Sequence, residues 1–408
     1  MNTNLRLRDL TIIVFCLYIF WGSFGMDLTL SHNAERIPVH RAFILLTAFI
    51  FLCNVQQLLG ACLKNKLLIT LILYTLLTTA WANNPTDTLK NFIFLSSTLF
   101  ISILTALAFA DNKASLIRWL FWLFLLMTLA SIITALRFPQ IGINTLDFGE
   151  PRWIGITTHP NVLGVQALVL IWLSSNLFFL SKSSLEKTLI LAAIIAAFFT
   201  IIKADSMTSL ITSLVLVIYT CYCYLFGRVS LSVKLILFTL SLLTFLFIVT
   251  FYMGASELAN TTLASTGRNT TFTGRAVLWE KALISAADNL IFGYGFDNLD
   301  QLTKKYHIQM SHLHNGYIQT LVQGGMIASI LLAIILIKTL FHQLRIKSTY
   351  KHDFIFLNTG LVMVLLHNFT ESSILKGLNT LSIFIIFIIV STSLIQNNNI
   401  DKVSSADQ

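Results

Sequence analysis

The sequence predicts an all-α polytopic membrane protein of about twelve transmembrane helices, with one large, partly helical loop on the outer, periplasmic side. Three observations predict it. Hydrophobic residues fill 56% of the 408 positions and charged residues only 11%, with a mean hydropathy of +0.78, whereas a soluble domain carries roughly a quarter charged residues. The apolar residues come in blocks of about 18 to 23, long enough for a hydrocarbon core of about 30 Å. Strand-period alternation is absent, which leaves a helical bundle rather than a barrel.

The first apolar block follows Arg6 and Arg8, like a signal peptide, but it lacks a small-residue cleavage site and further blocks follow, so it reads as a retained anchor. Spans are expected near 10–28, 41–60, 67–82, 91–110, 115–136, 160–180, 186–203, 206–226, 231–253, 316–340, 353–368 and 377–396. Alternate connections carry Lys64 and Lys66, Lys113 and Arg118, Lys182 and Lys187, Arg228 and Lys234, then Arg345, Lys347 and Lys351. The opposite short loops are poorer in Lys and Arg. Both termini then lie in the cytoplasm, and 138–159, 254–315 and 369–376 face outward. The chain divides into an N-terminal membrane bundle of about nine spans (1–253), the periplasmic loop (254–315), C-terminal membrane helices (316–396) and a polar cytoplasmic tail (397–408) expected to be disordered. Within the loop, Arg275 to Ala287 has helical apolar spacing (Ala276, Leu278, Trp279, Leu283, Ile284), as for a helix lying in the interface. Gly293-Tyr294-Gly295-Phe296 is a turn signal.

The net charge of +9 follows from Lys and Arg collecting in cytoplasmic loops. No basic run is interleaved with exposed aromatics, which argues against a nucleic-acid partner. Cys16, Cys53, Cys62, Cys221 and Cys223 all lie in or at the edge of apolar blocks, so no disulfide framework staples the outer loop.

Candidate chemistry concentrates outside. Arg152 (in GEPRWIGITTHPN), Arg268 and Arg275 defy the positive-inside trend, and a guanidinium fork suits phosphate oxygens. Each could instead pair with a loop carboxylate: Glu150, Asp147 or Asp288. In SHLHNGYIQTLVQGG, Ser311 to Gly325, His312 and His314 precede the tenth span, with Asn315 and Gly316 at its start. A helix N-terminus favours negative charge and leaves free N–H donors. His314 there could act as a general base on a sugar hydroxyl or as a donor to a phosphate leaving group, or could simply cap the helix. Glu371 is the acidic residue of HNFTESSILK, either functional at the membrane edge or paired with Lys376. Asp205 in KADSMTSL offers the same choice, with Lys203 as the bland partner. His307, His312 and His314 lack a carboxylate at ligand spacing, so no metal site is expected. No Walker loop, dinucleotide fingerprint, nucleophile elbow or zinc motif occurs, so a transferred group must arrive already activated.

Four ordered blocks resemble the O-antigen ligase and polymerase superfamily: RWIGITTHPNVLG (Arg152 to Gly164), TGRAVLWEKAL with NLIFGYGF (Thr273 to Phe296), HLHNGYIQTLVQGG (His312 to Gly325) and NFTESSIL (Asn368 to Leu375). The resemblance implies a multi-pass protein of the bacterial inner membrane with its active site facing the periplasm. It implies transfer of an undecaprenyl-pyrophosphate-linked oligosaccharide to a sugar hydroxyl, without metal, ATP or other cofactor. It implies His314 as the catalytic histidine with Glu371 beside it. Arg152, Arg275 and Arg268 look like a pyrophosphate clamp, supported by His312, Asn315, His159 and Asn161. Implied partners are membrane lipid, lipid A-core if the chain is a ligase, a chain-length regulator and a flippase. Met207, where many ligase-like members carry Arg after a Ser, and the THPN and NFTES forms look more like the polymerases. His314, Asn315 and Gly325 meet the ligase pattern until its last position, Ala328. The polymerase reading is therefore favoured over the ligase. A transporter is a rival from another class, but carriers show two related halves with midplane sites, and here the polar groups gather in one outer loop.

Overall fold

The protein is described by a computed structural model, over residues 3–23, 45–46, 48–49, 52, 55–145, 151–225, 273–296, 299, 305–306, 312–346 and 351–404. Its helices are α1 (Thr3–Ser23), α2 (Val55–Lys64), α3 (Lys66–Leu77), α4 (Pro85–Ala108), α5 (Lys113–Arg137), α6 (Pro139–Gly142), α7 (Pro160–Leu180), α8 (Ser184–Lys203), α9 (Met207–Leu225), α10 (Thr273–Asp288), α11 (Gly316–Leu344), α12 (Lys351–His367) and α13 (Thr380–Ser404). One antiparallel pair of two-residue strands, β1 (Ile143–Asn144) and β2 (Arg152–Trp153), is the sheet among the described residues.

Six described helices are long and apolar enough to cross a membrane: α4, α5, α7, α8, α9 and α11. A seventh span arises if the pair around Asn65, bent by 91°, counts as one. They answer to the spans expected at 91–110, 115–136, 160–180, 186–203, 206–226 and 316–340. The expected spans 10–28, 353–368 and 377–396 are helical in α1, α12 and α13, while 231–253 and part of 41–60 lie outside the described residues. One expectation needs correction. The tail expected to be disordered from Asn397 continues α13 as helix to Ser404, because a formed helix gains a further backbone bond for each residue it fixes.

Polar residues start the spans where an apolar run alone could not. Asn84 accepts from the Asp87 N–H at 3.3 Å before Pro85, Asn112 from Ser115 at 3.1 Å, and Ser183 from Glu186 at 3.4 Å. Each oxygen satisfies one of the orphan donors of a helix N-terminus. The central helix is α7: 83% of its apolar stretch is buried, against 28% for α8. Exposed Leu185, Leu189, Ile195 and Ile202 make the outer face of α8 suited to lipid. At the centre, Trp172 stacks on Phe356 (4.6 Å, 7°) and meets Phe384 edge-on at 5.2 Å.

Hydrogen bonds tie the spans where burial in lipid supplies little drive for helices to associate. Tyr219 donates to Asn358 Oδ1 (2.6 Å), Asn358 Nδ2 to Gln343 Oε1 (3.1 Å) and Gln343 Nε2 to Thr392 (3.1 Å). This chain crosses α9, α12, α11 and α13. Lys113, almost fully buried, pairs with Asp353 at 3.2 Å between α5 and α12.

α11 is broken at Gly325 (φ 64, ψ −165). The turn at 290–295 repairs the break: Tyr294 and Gly295 donate backbone N–H to Val322 O (3.0 Å) and Gln323 O (2.8 Å), and Met326 donates to Leu290 O (2.8 Å). The approach demands glycine on both sides. A Cβ on Gly325 would lie 2.2 Å from Ile291 O, and one on Gly293 (φ +69) 2.4 Å from Gln323 O. Tyr74 of α3 and Thr88 of α4 hold the same turn by donating to Phe292 O (3.1 Å) and Phe296 O (2.8 Å).

Candidate functional site

At the start of α7, His159 is the N-cap, its Nδ1 accepting the Asn161 N–H at 3.1 Å, and Pro160 opens the helix without a donor to lose. This fixes Asn161 on the first turn. The hairpin β1–β2 brings Arg152 alongside. Arg152 Nε donates to Ala204 O (3.0 Å), while Nη2 donates to Asp205 O (2.8 Å) and Asn161 Oδ1 (3.1 Å). Asp205 adopts φ 48 to present that carbonyl, and its carboxylate lies 3.9 Å from Arg152 Nε.

The start of α11 is built against the turn that follows α12. Asn315 Oδ1 caps the N–H groups of Tyr317 and Ile318 at 3.0 Å each, and its Nδ2 donates to Phe369 O at 3.0 Å. The Gly316 N–H lies between Asn368 O (2.9 Å) and Glu371 O (3.0 Å), and a Cβ there would meet Asn368 Oδ1 at 2.3 Å. His314 precedes this cap with φ 48, a left-handed conformation uncommon for a side chain of its size. Such strain persists where surrounding contacts over-determine it. Here those contacts are the Asn315 N–H to Ser372 Oγ (3.0 Å) and Trp279 Nε1 to Leu313 O (2.8 Å).

The Glu371 carboxylate joins these segments. Its Oε1 accepts from Asn161 Nδ2 (2.7 Å) and Arg275 Nη2 (3.3 Å), and its Oε2 meets His314 Nδ1 at 3.1 Å. Arg275, on the first turn of α10, also donates Nη1 to Thr370 O at 2.8 Å, and the Thr370 hydroxyl pairs with Thr208 at 2.7 Å. The result is a continuous relay, Arg152–Asn161–Glu371, branching to Arg275 and His314. The carboxylate side chain is only 12% exposed. Burial pushes Glu371 up, but the His314 hydrogen bond and the surrounding basic side chains of His314, Arg275 and His367 outweigh it and hold the group at about 2. An ionised carboxylate only accepts hydrogen bonds. His314 therefore donates from Nδ1 to the carboxylate, and its neutral form presents Nε2 with a lone pair, the arrangement of an oriented general base.

His312 packs its ring 5.1 Å from that of His314. Burial, then the nearby basic side chains of Lys376 and His314, push His312 down to about 4 against the pull of Glu371. It is neutral at physiological pH. Beside Glu371 opens a cavity of about 240 Å3, with His159, Asn161, His312, His367 and Lys376 also on its wall.

Of the residues singled out from sequence, Arg152, His159, Asn161, Arg275, His312, His314, Asn315 and Glu371 converge here. Arg268 lies outside the described residues, as do His307, Asp147 and Glu150. The alternative pairing of Glu371 with Lys376 is not made: Glu371 takes His314 and Arg275. Asp205 faces Arg152 rather than Lys203, and Asp288 pairs with Lys305 and Tyr306 rather than with an outer Arg. Sequence reasoning passed over His367, Thr208, Lys376 and Trp279 as site residues. His367 had a local signal, since it stands four residues before Glu371 and so on the same face of a helical turn. Trp279 had none beyond its place in the second block.

Comparison with known proteins covers part of these segments, reaching Arg275, His312, His314 and Asn315 but not Arg152, Asn161 or Glu371. Residues 191–333 match the family model described as O-antigen ligase. Over 105 residues the chain is 30% identical to the exopolysaccharide production protein ExoQ of Rhizobium meliloti, covering 23% of each chain. Over 97 residues it is 29% identical to an uncharacterised protein of Haemophilus influenzae, covering 22% of this chain and 24% of that one. The matched segment thus spans about a quarter of the length of these relatives. Together the matches support the O-antigen ligase and polymerase superfamily.

Proposed function

We propose, from that superfamily relationship and the His314–Glu371 pair, that the chain is a membrane glycosyltransferase acting as a surface-polysaccharide polymerase. It moves a glycan carried on undecaprenyl pyrophosphate to a sugar hydroxyl of a second lipid-linked repeat unit. The observation that carries the reading is His314 Nδ1 held by the ionised Glu371 at 3.1 Å inside a relay of two Arg residues.

In this mechanism His314 Nε2 takes the proton of the acceptor hydroxyl as its oxygen attacks the anomeric carbon of the donor glycan. The bond from that carbon to the diphosphate oxygen breaks, and undecaprenyl pyrophosphate leaves with the electron pair. Glu371 stabilises the imidazolium that forms and fixes its tautomer. Arg275 and Arg152 stand beside the developing diphosphate charge. Arg152 Nη1 has no hydrogen bond among the described residues, and the side chain is 23% exposed. Arg268 completes the proposed clamp. The site faces the periplasm of a bacterial inner membrane, and both substrates reach it through the bilayer. Membrane lipid, a flippase and a chain-length regulator are the partners this role requires.

The test uses purified protein with undecaprenyl-pyrophosphate oligosaccharide, with and without lipid A-core, resolved on a gel. A ladder formed without lipid A-core is the expected result. A single shifted product that requires lipid A-core would make the chain a ligase, with the same relay. No product under either condition, with substrate crossing the bilayer instead, would make it a transporter.

A further inference from the structure

The cavity beside Glu371 carries groups that the proton relay does not use. His367 ends α12, is 1% exposed, and neither ring nitrogen has a hydrogen-bond partner among the described residues. A buried polar group left unmade costs about 1–3 kcal/mol, and a neutral imidazole leaves both a donor and an acceptor unmet. Lys376, on the turn before α13, lines the same cavity without an ion pair or hydrogen bond among the described residues. Ser372, Ser373 and Asn379 add hydroxyl and amide groups to the wall, and Val162 and Val165 add an apolar strip.

This mixture discriminates between ligands. An anion only accepts, so it would leave the acceptor nitrogen of His367 unmet and would lie against the Glu371 carboxylate. A pyranose ring donates and accepts at each hydroxyl, and its C–H face suits the two valines. The base is close at hand: His312 and Glu371, both on the cavity wall, touch the His314 ring from two sides.

We propose that this cavity is the acceptor subsite, holding the terminal monosaccharide that supplies the attacking hydroxyl, with His367 and Lys376 recognising its other hydroxyl groups. The assignment rests on the glycosyl-transfer reading above and makes His367 a binding residue for the acceptor, separate from the donor's diphosphate.

The experiment uses the full chain in nanodiscs, with lipid-linked repeat unit as substrate and the delipidated repeat-unit oligosaccharide as a binding probe read by saturation-transfer NMR. His367→Leu, which fills the space but offers neither donor nor acceptor, is expected to raise the acceptor KM about tenfold or more. The donor KM should not move, and the probe signal should be lost. His367→Gln, which keeps one donor and one acceptor, should recover most of the acceptor affinity. Lys376→Gln, at a half-buried lining residue, should also raise the acceptor KM, and it reads the same cavity if His367→Leu does not fold. An unchanged acceptor KM and probe signal in these variants would overturn the proposal. So would a rise confined to the donor KM, or equal loss with Leu and Gln. If the wild-type chain binds the probe in this His367-dependent way but transfers nothing, the transfer reading fails while the glycan site stands. If it transfers normally and the variants are silent, the reverse holds.

Discussion

Glu371→Gln tests the relay at its branch point, because the substitution keeps the shape and removes the charge. Oε1 faces two donors, Asn161 Nδ2 and Arg275 Nη2, whereas Oε2 faces His314 Nδ1 alone among the described residues. The single amide oxygen of Gln will therefore turn toward Asn161 and Arg275, leaving its NH2 against His314. That group donates to Nδ1, which forces the imidazole proton onto Nε2 and removes the base. Losing a hydrogen bond to a charged group costs about 1.5–3 kcal/mol, or about 10- to 150-fold in rate at roughly 1.4 kcal/mol per decade. The wrong tautomer adds to this. The same change in a Ser-His-Asp triad lowers kcat by about 10⁴. The expected loss in kcat is between about 10² and 10⁴, with the acceptor KM nearly unchanged. Steady-state transfer with both lipid-linked substrates varied would read it, at a temperature where melting curves show both proteins folded. Activity within about threefold of wild type, alongside an inactive His314→Ala, would refute the claim that Glu371 sets the histidine tautomer.

Further expectations follow from the same geometry. The folded Glu371 is held at about 2, below its ordinary 4.5, so its contribution to stability is fully present above pH 4.5 and fades as the pH falls toward 2. The melting-temperature gap between wild type and Glu371→Gln in detergent should shrink as the pH falls below 4.5. His312 is held at about 4, below its ordinary 6.5, so the unfolded chain binds the extra proton between these values and stability should rise with pH across that window. His312→Gln should flatten this rise, as read by the same melts. Arg275→Lys keeps the charge but cannot reach Thr370 O and Glu371 Oε1 together, and should lower kcat about 10- to 100-fold; unchanged kinetics would remove Arg275 from the relay. Gly325→Ala must distort the Ile291 carbonyl contact and hold φ 64 with ψ −165, at about 1–3 kcal/mol for the backbone alone. Gly60→Ala, which meets nothing within 4 Å, should leave the melting temperature near wild type and serve as its control.

The membrane spans were legible because an 18-residue apolar block has few alternatives, and the site residues because a polar group stands out in so apolar a chain. His314, Glu371, Arg275 and Arg152 announced themselves in this way, whereas Asn161 entered only through the resemblance of its block. Their pairings did not. Lys376 is five residues from Glu371, whereas Arg275 and His314 are 96 and 57 away, so spacing favoured a pairing that the packed structure does not make. His367 sits at the end of an apolar block and carries no local mark of being buried without a partner. The turn at Gly293 was readable from its glycines. That it completes a break in α11 was not, because nothing in a local window links residues 290–295 to 322–326.

That break has a consequence for how the protein is made. The ladder between the turn and α11 lies roughly 10 to 15 Å along the helix from Gly316, at 1.5 Å per residue. Leu290, Ile291 and Phe292 present apolar surface there. Unpaired carbonyls and N–H groups at such depth cost several kcal/mol each in lipid. α11 therefore cannot settle in the bilayer as an independent span and wait for the preceding turn. The two segments are close in sequence, so the turn can enter with the helix as one insertion unit during synthesis. On that order of assembly, α10 and its Arg275 are carried to the membrane surface before α12 and Glu371 have left the ribosome, and the relay closes only with the arrival of α12 and the turn that follows it.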